Sequence, residues 1–209
     1  HTCGRTTAGL AYCWGGNSHG QLGDGMAWWT PAPVSALSPA TLISAGRRHA
    51  CVLASSGGAS CWGDNSYGQL GNGSTTSGET PVAVAGGLSF SALAAAAFHT
   101  CGLTSSGTAY CWGTGPLGNG STTQSSTPVP VSGGFSFSAL SAGSGNTCGI
   151  TTAGAGYCWG DNYFGQLGTG STTNSSIPVA VSGGLSFSAL VTGELHTCGL
   201  TTAGVAYCW

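Results

Sequence analysis

Lysine is absent from this 209-residue chain, and eight positions carry all of its charge: Arg5, Arg47, Arg48, Asp24, Asp64, Asp161, Glu79 and Glu194. A nucleic-acid ligand needs cations to displace phosphate counterions, so three arginines exclude that class of partner. No run of about 18 apolar residues is present, so no membrane-spanning helix is expected. The chain starts inside a motif rather than on a signal peptide, so a processed product or a fragment is expected. Phosphate-cradling and dinucleotide-binding glycine motifs are missing. The only two glutamates, Glu79 and Glu194, lie far apart in sequence, which argues against a glycosidase carboxylate pair. Serine is too abundant for any one Ser–His–Asp set to stand out. Neither an enzyme nor a cofactor is expected. So little charge is also seen in low-complexity linkers, but seven tryptophans and a regular apolar pattern require a packed, turn-rich fold.

What the chain does have is glycine, 39 residues of it, and ten cysteines in five pairs. The first members, Cys3, Cys51, Cys101, Cys148 and Cys198, are separated by 48, 50, 47 and 50 residues. The partners Cys13, Cys61, Cys111, Cys158 and Cys208 each follow by ten. HTCGRTTAGLAYCW opens the chain and HTCGLTTAGVAYCW closes it. After the pairs come WGGNSHGQLGDG, WGDNSYGQLGNG, the three-residue-shorter WGTGPLGNG, and WGDNYFGQLGTG. A third block, TPVPVSGGFSFSALSAG in one copy, completes the period. Each period thus holds four short strand candidates divided by Gly-rich turns: PVAV-like, FSAL-like, HTCGLT-like and AYCW-like. Four strands per period of about 50 residues predict an all-β fold, the β-propeller.

Within a pair, Thr202-Ala203-Gly204 suits a three-residue hairpin loop with glycine in the left-handed position. That register sets Cys198 opposite Cys208, Gly199 opposite Tyr207 and Leu200 opposite Ala206. Facing Cα atoms at a non-hydrogen-bonded site lie about 4.5 Å apart, within reach of a disulfide. One cross-strand bridge per hairpin is therefore expected, contributing about 2.8 kcal/mol on chain-entropy grounds, in an oxidising, extracellular setting. Two other readings stand beside it. One is reduced, buried cysteine. The other is zinc, suggested by His1, His49, His99 and His196 two residues before a cysteine, though Asn146 breaks the pattern and a fourth ligand is missing.

HTCGLT, AYCWGDN and GQLGNG in register resemble the repeats of the regulator-of-chromosome-condensation (RCC1) family, over essentially the whole chain. The resemblance implies a propeller, commonly of seven blades, with four antiparallel strands in each. The disulfide-bearing form is most similar to secreted bacterial members. Residues 1–209 then read as a single RCC1-like propeller domain of four full repeats plus one terminal hairpin. Its 18 strands fall short of both five and seven complete blades, so part of a longer chain is expected, or copies that complete one another. Guanine-nucleotide exchange and chromatin docking, implied by the nuclear members, do not fit the low charge and paired cysteines.

The recurrent histidines read as blade-to-blade hydrogen bonders. The GDN loops at Asp64 and Asp161 read as Asx-type turns rather than calcium ligands. Departures from the repeat are the better guide to function. Met26, Trp28 and Trp29 stand where other copies are polar. Arg5 replaces an aliphatic residue, and Arg47 and Arg48 fill a variable position. Trp and Arg are enriched at binding hot spots, so these six form a candidate partner surface; the plainer alternative is that they pack against a neighbouring blade. The Asn72, Asn119 and Asn174 sequons are possible glycosylation points. The function expected is a secreted, non-enzymatic scaffold that recognises a protein or surface glycan through propeller loops. The alternatives are a subunit of an extracellular filament or coat and, weakly, an enzyme sited at the central channel.

Overall fold

The computed structural model describes residues 1–26 and 39–209, and every regular element there is a β-strand. Blade 1 is the pair β1 (Thr2–Arg5) and β2 (Ala11–Trp14). Blade 2 is β3 (Ala40–Ala45), β4 (His49–Ala54), β5 (Ala59–Gly63) and β6 (Gly78–Ala83). Blade 3 is β7 (Phe90–Ala95), β8 (His99–Thr104), β9 (Ala109–Gly113) and β10 (Ser125–Pro130). Blade 4 is β11 (Phe137–Ala142), β12 (Asn146–Thr151), β13 (Gly156–Gly160) and β14 (Ser175–Ala180). Blade 5 is β15 (Phe187–Thr192), β16 (Thr197–Thr201) and β17 (Ala206–Cys208). Each four-stranded sheet runs in sequence order, antiparallel throughout, from the FSAL-like strand to the PVAV-like strand. Seventeen of the 18 expected strands are thus present among the described residues; the remaining one, around Pro31–Val34, lies outside them.

The middle two strands of each blade are the cysteine hairpin. Cys198 faces Cys208, Gly199 faces Tyr207 and Leu200 faces Ala206. Gly204 takes a φ of 80° in the loop, a value costly for any residue with a Cβ. All five disulfides form, with Cα atoms 4.0–4.1 Å apart, and none of the cysteines is free. The reduced and zinc-bound readings are thereby set aside.

The apolar core is divided among the junctions between blades. Cys51, Leu53, Cys61 and Leu70 of blade 2 cluster with Phe90, Leu93 and Trp112 of blade 3, and two equivalent clusters follow. In blades 2, 3 and 4 the second strands are therefore buried on both faces, and their disulfides sit inside the junctions. One junction is packed differently. In blades 3, 4 and 5 a phenylalanine ring lies on a glycine of the next strand; a Cβ at Gly102 would come within 2.5 Å of Phe90. In blade 2 the same two places hold Ala40 and Val52, so a small-over-large pair replaces large-over-small.

Hydrogen bonds fasten the junctions. Trp112 Nε1–H and Thr100 Oγ1–H both donate to the carbonyl of Gln69 in the preceding blade, each at 2.9 Å. Since the Thr100 proton is so used, its oxygen accepts from His49 Nε2–H at 2.8 Å. Trp209 and Thr197 converge likewise on Gln166 O, where Asn146 Nδ2–H takes the place of histidine. His99 pairs with Thr147 at 2.8 Å. At the first junction Ala50 stands where the threonine would be, and both ring nitrogens of His1 are buried without a partner.

Burial holds His49 and His99 neutral, lowering both from 6.5 to about 4; the neighbouring His99 adds to the effect on His49, and Asp64 partly offsets it. Between those values the unfolded chain binds protons that the native state refuses, so stability is full above pH 6.5 and is lost as pH falls toward 4. The expected loss is roughly 3 kcal/mol per histidine. Denaturant melts from pH 7.5 to 4 should show it, and the variant His49→Asn/His99→Asn, built on the Asn146 precedent, should flatten the profile across that window.

Candidate rim site

The strands of a blade run between two rims. The first strands β3, β7, β11 and β15 pack side by side around the axis. They are joined by side chains rather than by a ladder, with Ala95 N–H donating to Ser44 Oγ and Thr192 N–H to Ser141 Oγ. Their C-terminal ends surround a cavity of about 410 Å³, lined by small residues such as Ala45, Ala96 and Gly143 and by two charged ones, Arg47 and Glu194. The loops after the third strands reach this same rim: Asp64 N–H donates to Arg48 O, Thr114 N–H to Phe98 O and Asp161 N–H to Gly145 O.

This rim carries an uneven set of exposed aromatics. Tyr67 meets Phe98 edge-on, with ring centroids 5.5 Å apart, and Arg47 lies over the Phe98 ring at 5.6 Å. In the corresponding loop of blade 4, Tyr163 and Phe164 are 71% and 66% exposed. Between these groups the shortened blade 3 loop, Gly113–Leu117, carries no counterpart. Sequence reasoning did not gather these aromatics, although the change from Ser66 to Tyr163 at equivalent places marks one of them.

The two aspartates behave oppositely. Burial pushes the Asp64 carboxyl up, but the Ser66 hydroxyl and amide, followed by His19 and Arg48, bring it below its ordinary value. This is the expected Asx turn. Asp161, with tyrosine in place of that serine, is raised by burial. Among the described residues no three of His, Cys, Asp or Glu gather as a metal site would require, and none forms a helix long and apolar enough to cross a membrane.

Of the six residues singled out in the sequence, four are described, and Arg5 stands apart from Arg47 and Arg48. Arg47 and Arg48 stand at the start of β4, on the cavity rim. Arg5 ends β1, the equivalent strand, so it belongs to the opposite rim, where its guanidinium donates to Ala40 O at 3.3 Å. Met26 is exposed and follows Gly25, whose N–H donates to Glu79 O in the outer strand of blade 2. Trp28 and Trp29 lie outside the described residues.

The shortened loop has a further cost. Pro116 replaces the glutamine of the other copies, and Trp159 Nε1–H, fully buried, has no acceptor. Replacing Thr114-Gly115-Pro116 by the Asp64–Gln69 sequence should restore the bond and stabilise the chain by about 1 kcal/mol, measured by denaturant unfolding against the parent.

Comparison with known proteins places this geometry. Models of the regulator of chromosome condensation (RCC1) repeat match residues 8–53, 56–103 and 154–200 and, in a second form, 40–69, 90–119 and 137–166. No curated protein sequence matches. Among solved structures, human WBSCR16 is 21% identical with a TM-score of 0.88, covering 95% of this chain and 55% of its own. Yeast RCC1 (Prp20), solved with Kap60 bound to it, is 19% identical with a TM-score of 0.78, over 90% and 48%. The entire ectodomain of the Physcomitrella patens receptor kinase CR4 is 26% identical with a TM-score of 0.65, over 99% and 48%. The chain spans about half the length of these structures.

Proposed function

From the premise that the chain belongs to the RCC1 repeat family, we propose that it is a secreted, non-enzymatic scaffold whose cavity-side rim binds a protein partner. The observation that carries this reading is the exposure of Tyr67, Tyr163 and Phe164 on that rim, beside an arginine fixed on Phe98. Aromatics and arginine are the residue types that dominate protein hot spots. The structural neighbours agree in kind, since yeast RCC1 holds another protein, Kap60. Five disulfides suit an oxidising compartment, and the CR4 neighbour is an ectodomain. The strongly shifted titratable groups, His49 and His99, are committed to blade contacts, which leaves the rim a recognition surface.

A second reading, a subunit of a filament or coat, draws on the low charge of the chain and its polar Ser/Thr-rich loops. Light scattering separates the two: a concentration-independent monomer mass supports the binder, and growing particles support the subunit.

The rim reading is tested with a random dodecapeptide phage library and a glycan array. Wild type should enrich peptides. The variant Tyr67→Ser/Tyr163→Ser/Phe164→Ser should lose that enrichment at least tenfold with an unchanged melting temperature, while Leu10→Ser on the opposite rim should not. Equal enrichment by both variants, or binding to glycans alone, would overturn it.

A further inference from the structure

The cavity at the rim is built from four equivalent chain segments, Ala45–Arg47, Ala95–Ala97, Ala142–Ser144 and Thr192–Glu194. The last place in each segment reads arginine, alanine, serine, glutamate. In a chain with eight charges, two of opposite sign have come to the same repeat position of one cavity, on blades separated by two others. Both side chains are exposed. Arg47 is oriented by the Phe98 ring. The segments brace one another, with Arg47 N–H donating to Ala96 O at 3.2 Å and Ala97 N–H to Gly143 O at 3.3 Å. The walls between the charges bear only methyl, hydroxyl and backbone groups. A ligand that fills this space therefore meets a fixed cation on one side and an anion on the other, with nothing bulky between.

We infer that the cavity receives a dipolar segment of the protein partner, its carboxylate set against Arg47 and its ammonium or guanidinium against Glu194. This inference rests on the scaffold reading above and names the chemistry of what that scaffold holds. Charge complementarity of this kind selects partner and orientation more than it adds affinity. Braced walls reduce the ordering cost of binding. A purely acidic segment is repelled by Glu194 and a purely basic one by Arg47, so single-sign partners are discriminated against.

The test uses the same dodecapeptide library on the intact chain and reads the sequences enriched. Wild type should enrich peptides carrying both an acidic and a basic residue at least tenfold over single-sign or neutral ones. Arg47→Glu should abolish the preference for acidic residues, and Glu194→Arg the preference for basic ones. The double reversal should restore the mixed preference. Both positions are exposed, so melting temperatures should stay unchanged and serve as the folding control. Peptides that depend on Tyr67, Tyr163 and Phe164 but show no charge pattern, or a pattern indifferent to both reversals, would overturn the dipolar site and leave the scaffold reading standing. Failure to enrich any peptide overturns the scaffold reading itself.

Discussion

One main-chain oxygen per junction organises this molecule. Gln69 O receives an indole N–H and a threonine hydroxyl from the next blade, and the threonine in turn accepts from a buried histidine. The sheets alone would not cohere, because neighbouring blades share no ladder and each is too thin to enclose a core. The junction supplies both what burial requires: an apolar seat for tryptophan, disulfide and leucine, and partners for the indole N–H, the threonine hydroxyl and the imidazole Nε2 carried in with them. Where the carbonyl is displaced, as beside Trp159, a donor is stranded. Where the threonine is lost, as at Ala50, a histidine is stranded instead.

Much of the fold was legible because the period is nearly exact. The ten-residue spacing and its glycine determined the hairpin register, and that register brought the sulfur atoms together without further assumption. The recurrent histidine and threonine were visible as a pattern, but their bond runs between different repeats, so only packing reveals which threonine serves which histidine. The rim was less legible. Arg47 and Arg48 stood out as departures from the repeat. Arg5 was grouped with them by nearness in sequence, yet a strand carries its two ends to opposite rims. Tyr67 and Phe164 were legible as loop residues, but that they and Tyr163 stand exposed on one rim is visible only once the blades are packed.

The rim itself gains its character from the rigidity behind it. Every loop that bears an exposed aromatic is tied by backbone hydrogen bonds to the loop entering the second strand, as Asp64 is to Arg48 and Asp161 to Gly145. Recognition groups held in this way lose little freedom when a partner arrives. Function and stability thus draw on neighbouring parts of the same loops: the Gln carbonyl faces inward to the junction, while the residue two places before it faces solvent.

The exchange of Phe90 and Gly102 for Ala40 and Val52 has an evolutionary corollary. Tandem sequences this alike invite unequal recombination, which shuffles segments between copies. A crossover falling between the first and second strands would set phenylalanine against valine, or alanine against glycine, producing either a collision or a hollow at the blade's centre. Viable exchanges must keep those two strands together, so the unit of inheritance in this array is the strand pair, offset from the boundaries that the repeated letters suggest.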